Sequence, residues 1–143
     1  MAPEDHDETL DSFRRAAEQG DAKGQYSLGA VYYFGAGVDQ DIAEALMWYR
    51  KAADQGYAEA QFALGFLFDA GTSVPQDDTQ AVAWYRLAAE QDHAAAQFKL
   101  SLMYVNGRGV PWDAAEAATW CRKAAEQGDV DAQYALGLMY RPR

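Results

Sequence analysis

Glutamine recurs at positions 25, 61, 97 and 133, always 36 residues apart, with no insertion anywhere between them. Tryptophan keeps the same interval at 48, 84 and 120, and so do the pairs Ala52-Ala53, Ala88-Ala89 and Ala124-Ala125. A period of this length marks a chain assembled from stacked supersecondary units. Each unit is too small to bury its own apolar face, so neighbours supply one another's core.

Every unit carries two helical segments. In the first, about Ala22 to Phe34, the residues Gln25, Leu28, Gly29 and Tyr32 fall at i, i+3, i+4 and i+7, one face of a helix. Gly35 and Gly37 then end it. The second segment opens on Asp41-x-x-Glu44, repeated as Asp77-x-x-Gln80 and Asp113-x-x-Glu116. This spacing predicts a capping box, with the aspartate accepting from the first-turn amides and the glutamate or glutamine reaching back. Trp48 and Ala52-Ala53 follow, and a short turn at Gly56 sends the chain back antiparallel.

The termini fit the same register. Asp5-x-x-Glu8, Ala16-Ala17 and Gly20 place a lone second-type helix over residues 5–21, with Ser12 in the tryptophan position. Residues 130–140 form a lone first-type helix with no polar cap after it, as an array that continues would leave. The expected organisation is one repeat domain over 1–143. It comprises half units at 5–21 and 130–140 and full units at 22–57, 58–93 and 94–129, about eight helices in all.

Leu28-Gly29-x-x-Tyr32, then Gly35-Ala36-Gly37-Val38, then Ala45-x-x-Trp48-Tyr49-Arg50-Lys51-Ala52-Ala53-Asp54-Gln55-Gly56 resemble the Sel-1-like repeat, a relative of the tetratricopeptide repeat. The resemblance recurs in the later units and covers residues 5 to 140. It implies an all-α, right-handed α/α superhelical repeat (a solenoid of antiparallel helix pairs). It also implies work as a regulator, assembly adaptor or neutraliser of partner proteins. Four positions depart from the pattern: Ser101 for the helix glycine, Ser73 for a loop glycine, Asp92 for the turn glycine and Cys121 for the tyrosine after tryptophan. A cysteine-rich branch of the family carries paired cysteines. With Cys121 alone, neither that branch's disulfides nor its suggested penicillin binding carries over.

The tryptophan column is expected to fill the core where Gly29, Gly65 and Gly137 let helices approach, and the glutamines to bond to backbone at the helix junctions. A second column lies one residue beyond the glutamines, about 100° around the helix. It runs Tyr26, Phe62, Phe98, Tyr134; then, at i+4, Ala30, Phe66, Leu102, Leu138; then, at i+7, Tyr33, Asp69, Val105, Arg141. In the tetratricopeptide layout these positions face the concave groove. Tyr26, Tyr33, Phe62, Phe66, Phe98, Leu102, Tyr134 and Leu138 are therefore candidates for protein binding, with Lys23, Glu59 and Asp131 as varied polar neighbours. The competing reading is a helix packed on two sides. Two singletons add interface candidates: Arg108, where other units have Ala36 and Thr72, and Trp112, where they have Gln40 and Gln76. Trp112 serves either as an anchor or as a lid over the neighbouring tryptophan.

Catalytic patterns are missing. The glycine loops lack the lysine and third glycine of a phosphate loop, His6 and His93 form no zinc pattern, and Cys121 sits at a core position where a buried thiol is inert. The acids Glu4, Asp5, Asp7, Glu8 and Asp11 suit the start of a helix dipole. No enzyme activity and no cofactor are expected. Twenty-two acids against 12 bases give a net charge of -10, which disfavours nucleic acid and anionic membrane and favours a protein partner with a basic surface or peptide segment. The leading expectation is therefore a non-catalytic scaffold that binds a protein segment in the groove. The alternatives are a ligand-binding or hydrolytic protein like the cysteine-rich relatives, and a self-assembling module whose 130–140 face stacks head-to-tail on residues 2–20 of another copy. As it stands, the chain reads as cytoplasmic, without signal peptide or membrane insertion, or as periplasmic or secreted if a leader was removed.

Overall fold

A computed structural model describes residues 2–139, with side chains from Thr9 onward. Among the described residues there are eight α-helices and no strand: α1 (Ala2–Glu18), α2 (Ala22–Phe34), α3 (Ile42–Asp54), α4 (Ala58–Ala70), α5 (Asp78–Ala89), α6 (Ala94–Asn106), α7 (Ala114–Glu126) and α8 (Val130–Met139). The all-α repeat fold expected from the period is the fold observed. Tyr140 and Arg141 lie outside the described residues. The chain divides into two compact units, Met1–Leu64 and Gly65–Arg143, with the boundary inside α4.

Capping follows the sequence, with one change. Asp41, Asp77 and Asp113 accept from the backbone N–H of Glu44, Gln80 and Glu116 at 3.1, 3.1 and 3.0 Å. The reciprocal half of the box does not form. The backbone N–H of each capping aspartate donates instead to the preceding helix, to the carbonyls of Tyr32, Phe68 and Tyr104. Glu44 and Glu116 are thereby released, and each accepts from the indole Nε1 one turn on, Trp48 at 3.1 Å and Trp120 at 3.2 Å. The first helices are capped as well, by Asp21 on Gly24, Asp129 on Ala132 and the His93 Nδ1 on Ala96.

The start of α1 is a second correction. The helix begins at Ala2, so Asp5 lies within it and does not cap it. Pro3 falls in the first turn, where a missing N–H breaks no helical bond.

In the first unit, Leu10, Ala17 and Leu28 form a buried cluster, with Phe13, Val31, Tyr32, Val38 and Trp48 packed on it. In the second, Cys121, Ala124, Ala125 and Ala132 are buried beneath Phe98, Ala135 and Leu136. Alanine pairs recur because a small side chain lets two helices come close, and the aromatic residues then set the spacing.

Candidate interaction surfaces

The glutamine column does what its half-polar side chain requires. Gln25, Gln61, Gln97 and Gln133 each donate Nε2 to the carbonyl eight residues back, on Ala17, Ala53, Ala89 and Ala125, at 3.1–3.3 Å. A second glutamine closes the contact in two copies. Gln55 donates to Gln25 Oε1 at 2.9 Å, and Gln127 to Gln97 Oε1 at 2.7 Å. These amides tie each helix junction and are spent within the fold.

The aromatic that fills the glycine gap is the residue after the tryptophan. A Cβ on Gly29 would lie 2.8 Å from the Tyr49 ring, and one on Gly65 would lie 2.6 Å from that of Tyr85. Tyr49 and Tyr85 are buried, while Trp48, Trp84 and Trp120 are half-buried one step around the helix. The tryptophan expectation is corrected accordingly. Each indole N–H needs an acceptor, which Glu44 and Glu116 supply near the surface, and Lys51 and Lys123 place their ammonium groups over the rings at 5.2 and 4.9 Å.

The two departures at Ser101 and Cys121 belong to one arrangement. With a small thiol in place of the tyrosine ring, the glycine gap has room for a side chain, and Ser101 Oγ donates to the Ala117 carbonyl at 2.7 Å. Burial pushes the Cys121 thiol up, which disfavours the thiolate. Burial raises Tyr49 as well. Tyr85 is raised by burial and by donating to Asp69 Oδ2 at 2.8 Å.

The candidate residues are placed as follows. In the first unit Tyr26 and Phe62 are half-buried, and Tyr26 packs at a tilt against Tyr49 and Tyr57, both at 5.6 Å between ring centres. Tyr33 lies edge-on to Phe34 at 4.9 Å. In the second unit Phe66 is 45% exposed, with the Lys99 ammonium 5.7 Å from its ring centre. Phe98 packs on the Cys121 cluster, Leu102 is half-buried, and Tyr134 and Leu138 are exposed on α8.

Arg108 is engaged within the second unit. Its Nη2 pairs with Asp69 at 2.8 Å and with Asp78 at 2.7 Å, so it bolts its loop to the end of α4 and the start of α5. Sequence reasoning did not find this latch. The signal available was one unit carrying both Asp69 and Asp78 ahead of the only loop with an arginine at that position. Trp112 is 69% exposed, so the lid over the neighbouring tryptophan is not observed. Its counterparts Gln40 and Gln76 donate to the carbonyls of Tyr33 and Asp69, a bond the indole at this position replaces with exposed ring.

Among the described residues no group of three or more His, Cys, Asp or Glu side chains is placed to hold a metal ion, and no helix is long and apolar enough to cross a membrane. A polar cleft in the second unit is lined by Asp92, Gln97, Lys123, Glu126 and Gln127.

The family model of the Sel1 repeat matches residues 3–21, 22–57, 58–93, 94–129 and 130–142. Among solved structures, a protective antigen of uropathogenic Escherichia coli strains displaying an SLR fold is 43% identical with a TM-score of 0.89 over 92% of the chain. The chain spans 28% of that antigen's length. A Sel1 repeat protein from Oxalobacter formigenes is 37% identical, with a TM-score of 0.84, over 90% of this chain and 96% of its own. Cysteine rich protein B of Helicobacter pylori shares the fold at 20% identity, with a TM-score of 0.72, over 95% of this chain and 98% of that one. No curated protein matches the sequence.

Proposed function

Because the chain belongs to the Sel1 repeat family, we infer that it is a non-catalytic protein-interaction scaffold that binds a protein segment on the first-helix faces of its repeats. The observation that carries this reading is the exposure of Phe66 on α4, where Leu64 and Leu67 are buried. An aromatic ring left half in water beside a lysine, on a rigid helix, can anchor an extended segment at little entropic cost. Tyr33 offers a comparable ring in the first unit, and Trp112 a separate anchor on its latched loop. The net charge of -10 favours a segment rich in lysine and arginine. Charge attraction speeds encounter and is screened by salt. Among the described residues the junction amides, the buried thiol and Arg108 are committed to structure.

The test is affinity capture from lysate of the native source at low and high salt, comparing wild type with the Tyr33→Ala, Phe66→Ala double variant. The expected outcome is a basic protein retained by wild type at low salt, reduced at high salt, and reduced at least tenfold by the double variant. Far-ultraviolet circular dichroism should show an unchanged helical spectrum for the variant. Equal retention by both proteins would move the interface off this face.

A further inference from the structure

Three aromatic rings in the first unit have no aromatic counterpart in the other copies of the repeat. Tyr33 stands where the others carry Asp69, Val105 and Arg141, and Phe34 where they carry Ala70 and Asn106. Tyr57 stands where Asp21, His93 and Asp129 each accept from a backbone N–H in the first turn of the next helix. The repeat packs elsewhere without these rings, and at position 57 a ring has displaced a capping side chain. The three join Tyr26 and the buried Tyr49 in one row. Its ring centres are 5.6 Å apart from Tyr57 to Tyr26, 5.6 Å from Tyr26 to Tyr49, 6.5 Å from Tyr49 to Tyr33 and 4.9 Å from Tyr33 to Phe34. Neighbouring planes cross at 36° to 83°, so the rings leave wedges between them in place of a closed stack. Tyr26, Tyr33 and Tyr57 are half-buried, and Phe34 is 73% exposed. Ala70 and Asn106 are exposed too, so water also reaches this position in repeats that have another repeat before them.

We propose that this row binds a proline-rich segment in the polyproline II conformation, with lysine or arginine beside the prolines. The proposal rests on the segment-binding reading above and names the segment. Tyr26 and Tyr33 are seven residues apart on α2, a rise of about 10.5 Å along its axis. A polyproline II helix advances about 9.3 Å per turn, so prolines on one side of it come round at nearly the spacing of these two rings. Flat pyrrolidine rings fit wedges between tilted aromatics, whereas an amphipathic helix needs a groove for anchors at i, i+3, i+4 and i+7. Polyproline II carbonyls make no bond within their own chain, and a phenol hydroxyl can donate to them. Burial raises Tyr26, and the neighbouring Glu59 carboxylate raises it further, so that hydroxyl keeps its proton. A proline segment is extended before it binds, so little is lost in ordering it. Charge selects the flanking residues. Residues 1–64 hold 12 of the 22 acids and 5 of the 12 bases, and Glu59 is exposed near Tyr26.

Fluorescence anisotropy of the full chain with labelled peptides tests the proposal. The first peptide carries about nine prolines, or about three turns, between pairs of lysines. A second replaces the prolines by alternating glycine and serine, and a third replaces the lysines of the first by glutamates. The first should bind about tenfold or more tighter than either of the others in about 0.05 M sodium chloride, and its advantage over the third should shrink in about 0.5 M. Phe34→Ser, at an exposed site, and Tyr33→Ala should each weaken the first peptide about tenfold while circular dichroism keeps the helical content. Met47→Ala, at an exposed site on α3, should leave its affinity unchanged. A chain that does not bind the first peptide, or binds the first and second alike, overturns the proline-rich assignment. So do folded Phe34→Ser and Tyr33→Ala variants that bind like wild type, or a preference for a β-1,4-linked N-acetylglucosamine oligosaccharide over the first peptide. The segment-binding reading is decided separately by the lysate capture, which uses no chosen peptide, so the two can fail independently.

Discussion

At the scale of single residues, the glycine–tyrosine contact shows how the repeat tolerates exceptions. Gly65 cannot gain a side chain while the Tyr85 ring is present, because the new Cβ would sit 2.6 Å from it. Overpacking of this kind costs about 1–3 kcal/mol, and emptying the Tyr85 site costs about 3–5 kcal/mol. Ser101 and Cys121 coexist at the equivalent positions, so the two changes should offset each other in part. Gly65→Ser and Tyr85→Cys, measured singly and together by urea unfolding, should show a favourable coupling of about 1–2 kcal/mol. Additive losses would mean that the serine–cysteine pairing is coincidental.

At the scale of elements, the turn between α5 and α6 is the strained one. Asp92 has φ +65°, in the column where Gly20, Gly56 and Gly128 have φ +91°, +89° and +96°. An L side chain in this region disfavours the turn, and glycine removes the penalty. Asp92→Gly should therefore stabilise the chain by about 0.5–1 kcal/mol, seen as a higher thermal midpoint. The helix starts differ from their sequence reading for a related reason. A capping box needs the capping N–H to be free, and the carbonyls of Tyr32, Phe68 and Tyr104 reach it first.

For the whole molecule, pH reports on the buried phenols. Burial holds Tyr49 and Tyr85 neutral, with donation to Asp69 adding to the effect at Tyr85. The unfolded chain releases these protons above about pH 10, while the folded chain retains them. Their contribution is thus fully present below about pH 10 and is lost as pH rises beyond it, by up to about 1.4 kcal/mol per pH unit for each phenol. Thermal melts between about pH 8 and 11.5 should show a midpoint falling from near pH 10, with a shallower fall in Tyr85→Phe. A flat profile across that range would mean that the rings are hydrated.

What the sequence determined alone was the period and the local structure that follows from it. The 36-residue columns carry the helix count, the positions of the turns and the glutamine bonds to the junction carbonyls, because each is a local need met identically in every copy. The residue register also carries across to α1 and marks it as a second-type helix. What only the tertiary structure decided was direction and partner. Trp48 and Tyr49 are adjacent and both large and aromatic, and a rotation of about 100° sends one to the surface glutamate and the other to the glycine gap. Arg108 reads as a surface singleton until Asp69 and Asp78 are brought to it by folding. Periodicity records which positions are alike; which of two like neighbours is buried depends on the free volume and the free hydrogen-bonding groups that the packed helices leave.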